Sequence, residues 1–319
     1  MAAPYLGQLH WVGFKPQASA GSAETTVNNF LVSEKVNLKA NPNHVERKVY
    51  LTTGRPLPDR PGWIAPSGSA SGEVHYSFPH PWYWALGAVT TTTPAGTARL
   101  HTITDGGAPV RLTVEADQQY SKKKQADAYV SKLVLNAKVG EGAKLDMEWL
   151  ALGHTEGATL TSTPSFPADP ATCTAVAVTV GGAQRFDVEG IQITWDGKLE
   201  GKPVLTNANG GQPQTIRRAS PPEVTGQLDF IDFPTAELTK FLAGTEFALI
   251  LELQGAVIAT TYKYFLRITL PACQYTGGLD PEAADQVITG SANFKASYDT
   301  VSAKQILVEA ENILTAINA

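Results

Sequence analysis

One block of sequence occurs twice, and this limits the fold more than any other feature of the chain. "GEVHYSFP" at residues 72–79 and "GQLDFIDFP" at 226–234 share a glycine, an apolar residue two places on, an aromatic, and a closing Phe-Pro. Gly72 returns as Gly226, 154 residues later, a spacing the size of one domain. Each block runs into a short helix-like segment that stops at glycine, "HPWYWALG" at Gly87 and "TAELTKFLAG" at Gly244. Proline pre-sets the first helical φ, and glycine ends the helix in a left-handed cap. Upstream of each block lies a long Gly/Pro-rich segment, and downstream of each the pattern reads strand, turn, strand. An internal duplication explains all of this, and 319 residues suit two units of about 150.

Between the blocks, apolar and polar residues alternate. "ARLHTIT", "VRLTVEA", "YVSKLVLNAKV" and "AKLDMEWLAL" do so in the first half, "TAVAVTV", "FDVEGIQITWDG", "FALILELQ" and "YKYFLRITL" in the second. Period-2 alternation punctuated by Gly, Pro, Asp and Asn predicts half-buried strands in series, hence a mainly β chain of two antiparallel sandwich or barrel units. Residues 154–172 have a linker composition, which sets expected units at 1–155 and 156–301. Residues 302–319 are expected to form a C-terminal helix. Ser302 and Gln305 make a capping box, and Ile306, Leu307, Ala310, Ile313, Leu314 and Ile317 fall on one helical face.

The aromatic run Trp82, Tyr83, Trp84 poses a choice between a stacking platform for a ligand and a piece of core. In the second block its apolar positions are held by Leu238, Phe241 and Leu242. A platform does not survive exchange for leucine, whereas a core position tolerates it. Phe78, Trp82, Trp84 and Leu86, with Phe233, Leu238, Phe241 and Leu242 in the second copy, are therefore expected to pack a helix over the end of each sandwich.

Signs of catalysis are missing. The six histidines, His10, His44, His75, His80, His101 and His154, form neither HExxH nor a pair at ligand spacing. No nucleophile elbow, P-loop or dinucleotide glycine pattern occurs. His75 and His101 read as structural imidazoles, Asp146 and Glu148 as a solvated strand face. "SKKK" at 121–124 and Arg217-Arg218 read as loop charges that are solvated or salt-bridged. The net charge of −5 argues against a protein that grips phosphates. Cys173 and Cys273 form no metal knuckle, and a single bridge between them stays open. No signal peptide or membrane-spanning run is visible at the sequence level, and no cofactor or metal is expected.

With the duplication in view, the chain resembles the tail tube (major tail) proteins of long-tailed, non-contractile bacteriophages. The carrying residues are the strand "FLVSEKVNLKANPN", "GEVHYSFP" with its "WYWALGA" helix, His101-Thr102-Ile103-Thr104, Leu112-Thr113-Val114-Glu115, and the paired strands from 130 to 153. Ile103 stands where such proteins carry an aromatic, and the second half lacks the His-Thr strand. The resemblance implies a non-enzymatic virion protein, assembled in the host cytoplasm, whose copies form stacked rings. It implies partnership with itself, the tape measure protein, and the terminator and distal tail proteins, with double-stranded DNA passing through without tight binding. Loop 53–71 is then expected to order on assembly, with Arg55, Pro56, Trp63 and Ile64 touching the adjacent ring. The alternative is a carbohydrate-binding or surface-decorating sandwich, in which Trp63 stacks on sugar.

Overall fold

The structure, a computed structural model, describes residues 10–45, 60–118, 121–173, 176–202, 215–231, 235–259, 261–278, 282–284 and 287–317. In chain order the first half contains β1 (Trp11–Pro16), β2 (Asn29–Leu31), β3 (Ser33–Lys39), β4 (Pro42–Val45), β5 (Arg60–Ile64), β6 (Ser67–Glu73), α1 (His80–Leu86), β7 (Ala88–Thr92), β8 (Arg99–Thr104), β9 (Leu112–Asp117), β10 (Lys122–Lys138), β11 (Lys144–Leu150) and β12 (Gly153–Glu156). The second contains β13 (Val176–Val180), β14 (Ala183–Arg185), β15 (Val188–Asp196), β16 (Leu199–Lys202), β17 (Thr215–Arg218), β18 (Glu223–Phe230), α2 (Thr235–Ala243), β19 (Phe247–Ala259), β20 (Tyr262–Gly277), β21 (Glu282–Ala284), β22 (Val287–Ser297) and β23 (Leu307–Asn312). The protein is mainly β and antiparallel.

One pairing scheme is used twice. In the first half β1 pairs with β2 and β9, and the order β9–β10–β11–β6–β3 follows. In the second, β13 pairs with β14 and β19, and β19–β20–β22–β18–β15 follows. The repeated glycines take matching places: Gly72 lies between Ser33 and Leu145, Gly226 between Ile193 and Phe294.

Each half is a two-layer sandwich whose layers share one long strand, β10 or β20. β10 serves both layers because its pairing shifts between Gln125 and Ala128 and again between Val130 and Lys132. Asp127 sits in the first shift at φ +50°, with its carboxylate receiving the Gly21 N–H at 3.0 Å and ion-paired to Arg111 at 3.1 Å. A bulge of this kind bends a strand and re-aims its hydrogen bonds. The core alternates along the strands as expected, with Trp149, Trp195, Leu133, Ile193 and Phe294 buried on one face.

Several expectations are corrected. The chain end forms no helix over 302–319. β23 instead enters the sheet as a strand, pairing with β20 on one edge and β8 on the other. Two unpaired edges meet there, and filling both satisfies more backbone than a lone terminal helix could. Ile306, Val308, Ala310 and Asn312 are buried at period 2, Leu307 is half-buried, Leu314 packs against the core, and Ile313 is 51% exposed. Ser302 caps nothing; its N–H and that of Val301 donate to Asp299 in a turn.

Loop 53–71 is no loop over its second part, which holds β5 and most of β6. "SGSASG" lacks large side chains because the strand runs beneath an indole. A Cβ at Gly68 would lie 2.3 Å from the Trp149 ring. The segment 154–172 begins as β12 and is tied to the first half. Thr161 N–H donates to Glu115 at 2.8 Å, Ala171 N–H to the Val74 carbonyl at 2.7 Å, and Phe166 lies 5.8 Å from Phe30. Lys122–Lys124 open β10, and Lys124 pairs with the buried Glu115 at 2.7 Å.

Candidate functional site

The two sandwiches are joined through their sheets. Lys132–Lys138 of β10 pair with Gly190–Asp196 of β15 in unbroken antiparallel register. The order β3–β6–β11–β10–β15–β18–β22–β20 therefore makes one sheet that spans both halves. β10 ends the first copy's layer and β15 begins the second's. Among the described residues β3, the counterpart of β15, pairs with β6 alone. The backbone on one side of Gln274–Gly277 in β20, the counterpart of β10, has no strand beside it among the described residues. Unpaired strand edges are templates for another chain.

A second seam uses the strand that the second copy lacks. β8 joins the second half through β23, where His101 faces Ala310 across the register. The buried His101 ring contacts Thr91 Oγ1 at 2.9 Å through Nδ1 and Asn312 Oδ1 at 3.0 Å through Nε2. Asn312 donates in turn to the Tyr76 carbonyl at 3.0 Å. Burial pushes the His101 pKa down, the Asn312 bond opposing. Residues from the first copy's helix approach, its His-Thr strand and the chain end are thus held in one buried network.

The two helices differ at one telling position. Seven residues before each capping glycine stand His80 and Glu237. Gly87 (φ +86°) takes the left-handed cap and donates to Tyr83; Gly244 (φ +60°) donates to Phe241. Phe78, Trp82, Trp84 and Leu86 are buried, with Trp84 5.0 Å from Phe14 and 5.8 Å from Phe78. In α2 Leu238 and Phe241 pack against the core, while Leu242 is 76% exposed, a departure from its expected burial. The reason is Glu237. Its fully buried carboxylate receives Arg185 at 2.9 Å, Lys240 at 2.9 Å and the Tyr275 hydroxyl at 2.8 Å, so the helix turns that residue inward. Burial and the Glu237 bond both raise the Tyr275 pKa. No spacing in the sequence marks this knot, because its members come from two distant strands and one helix.

His80 yields a pH prediction. It packs 5.1 Å from Phe78 and 5.8 Å from Trp84, and burial holds its pKa at about 3, with His101 adding a smaller push. The folded value is depressed, so its contribution is complete above the unfolded value of about 6.5 and is lost as pH falls toward 3. Each pH unit in that window removes about 1.4 kcal/mol. Between pH 7 and 5 the wild type is expected to lose roughly 2 kcal/mol more than His80→Gln, read from denaturant midpoints. Equal losses would show that His80 is protonated in the folded protein.

Other predicted residues are placed as follows. Arg55, Pro56 and Phe233 lie outside the described residues. Trp63 belongs to β5, its side chain also outside them, and Ile64 is half-buried at the strand's end. His75 is buried, 3.8 Å from Asp169 and 3.9 Å from Glu73, with neither ring nitrogen hydrogen-bonded among the described residues. Cys173 and Cys273 are both free and buried. Among the described residues no cluster of His, Cys, Asp or Glu could hold a metal, and no helix is long and apolar enough to cross a membrane.

Paired sandwiches with one sheet continuing through both define a β-structural protein. A family model described as phage tail tube protein matches residues 7–296, and the chain belongs to that family. It is a structural protein of the tail tube and a virion component. No curated protein matches the chain.

Proposed function

We propose that three chains close one ring of the tube, each filling two of six equivalent places with units near 1–155 and 156–301. The β10–β15 seam carries this reading. It joins the first copy's edge to the second copy's edge inside one chain, and the same two edge types, β20 and β3, stand at the ends of the shared sheet. Repeating the seam between chains is a heterologous contact that closes by rotation and removes the open edges. Tethering two units raises their effective concentration to roughly millimolar, which favours closure. Symmetry analysis of assembled tubes tests it: the expected result is three-fold rings with pseudo-six-fold density, and strict six-fold rings of whole chains would sink the idea.

In such a ring the polar face of the shared sheet lines the channel. Three of its lysines are matched by carboxylates, Lys144 with Glu34 at 2.9 Å, Lys295 with Glu223 at 2.6 Å and Lys138 with Glu189 at 3.6 Å. Paired lysines release few counterions on meeting phosphate, so DNA slides without sticking. Isolated tubes are expected to retain no double-stranded DNA at physiological salt, and salt-sensitive retention would count against this lining. The work of the protein is structural, not enzymatic, in a siphovirus-type tail built in the host cytoplasm with the tape measure, terminator and distal tail proteins. Arg55, Pro56, Trp63 and Ile64 belong to segments reaching the next ring.

A further inference from the structure

The shared sheet has two unlike ends. At one end lie Lys39, Ser67, Lys132, Asp196 and Glu223; at the other, Gly72, Lys138, Gly190 and Asp229. The inserted hairpin segments, 42–64 between β3 and β6 and 199–218 between β15 and β18, both leave from the first end. Segment 42–64 holds four Lys/Arg and two Asp/Glu, segment 199–218 three and one. Arg217 and Arg218 of β17 are exposed. At the opposite end the stretches 138–142, 185–189 and 229–231 hold four Asp/Glu against Lys138 and Arg185, which pair with Glu189 and Asp187 and leave Glu141 and Asp229 in excess.

That acidic end also carries an apolar patch. Phe186 is 86% exposed, Val139 60% and Ile231 47%. Backbone bonds gather these residues, Ile231 N–H to the Asp187 carbonyl at 2.8 Å and Val139 N–H to the Glu189 carbonyl at 2.9 Å. Beside them a groove of 420 Å³ is lined by Ala137, Val176, Val178 and Ile191. Arg185 binds both Asp187 and the buried Glu237, so the turn that presents Phe186 is held from beneath. A contiguous exposed apolar patch with a charged rim marks an interaction site, and a pre-set turn lowers the cost of binding.

We propose that this end, centred on Phe186, Val139 and Ile231, seats the basic hairpin end of the next copy in the stack. The inference rests on the tube reading. In a head-to-tail stack, each chain's acidic apolar end meets the hairpin end of another, whose excess of Lys and Arg supplies matching positive charge. Opposite charge on the two ends also gives the stack its direction, since like ends repel.

The test uses the full chain, with rings and tubes counted by electron microscopy and fold checked by thermal melting. Phe186→Ser with Ile231→Ser is expected to melt like the wild type and to form rings while stacking at least tenfold less. Arg217→Glu with Arg218→Glu is expected to slow stacking, and adding Glu141→Lys with Glu189→Lys in the same chain to restore part of it. Variant tubes of wild-type length overturn the inference alone, as does loss of rings together with stacks, which would place the patch at the ring seam. Wild-type protein that forms neither rings nor tubes overturns the tube reading and this inference with it.

Discussion

Gly226→Val is expected to abolish folding, and Gly72→Val to do the same from the other copy. A Cβ at residue 226 would stand 2.2 Å from the Gln192 carbonyl oxygen and 2.4 Å from the Phe294 ring; at residue 72 it would stand 2.1 Å from the Val32 carbonyl. Neither obstacle can withdraw. Gln192 is held mid-strand by β10 and β18 together, and Phe294 is fully buried. Alanine alone is expected to cost on the order of 3 kcal/mol, and valine more, against a total stability of about 5–15 kcal/mol. Gly142→Ala, where nothing lies within 4 Å, is the control and is expected to stay within about 0.5 kcal/mol. Soluble yield and denaturant midpoints read the result. A wild-type midpoint for Gly226→Val would mean that β15 and β18 are not packed at this distance.

The second large effect separates strand from helix at the chain end. Helical periodicity places Ile313 inward and Val308 outward, whereas β23 buries Val308 completely and leaves Ile313 51% exposed. Val308 faces Ile103 on β8 and Ile268 on β20 across the two registers. Val308→Asp would put an unpaired carboxylate among these side chains, with an expected loss of at least about 4 kcal/mol and a protein that aggregates on expression. Ile313→Ser is expected to cost less than about 1 kcal/mol. The reverse ranking would restore the helix. Because β23 closes the edges of both β8 and β20, the aspartate variant is also expected to expose two templates for non-native pairing.

What the amino-acid order determined by itself was local and repeated. Period-2 alternation requires nothing beyond one buried and one wet face, so most long strands were legible in it, as were the Phe-Pro entries and glycine exits of the helices. The duplicated Gly72 and Gly226 were visible too, although only neighbouring strands explain them: a carbonyl presses where a side chain would be. The end of the chain reads as a helix because Ile306, Leu307, Ala310, Ile313 and Leu314 make a helical stripe, while Ile306, Val308 and Ala310 equally fit the strand alternation that burial follows. Partners 40 and 200 residues away decided between the two. Only the tertiary structure joined Lys132–Lys138 to Gly190–Asp196, since pairing of edges depends on which backbone groups are left unsatisfied once each sandwich has formed. It alone set Glu237 inward on α2, where Arg185 and Tyr275 from distant strands join Lys240 of the same helix to offset the cost of burying one carboxylate. Alternation can say that a residue faces inward; what it meets there is settled by how the layers close.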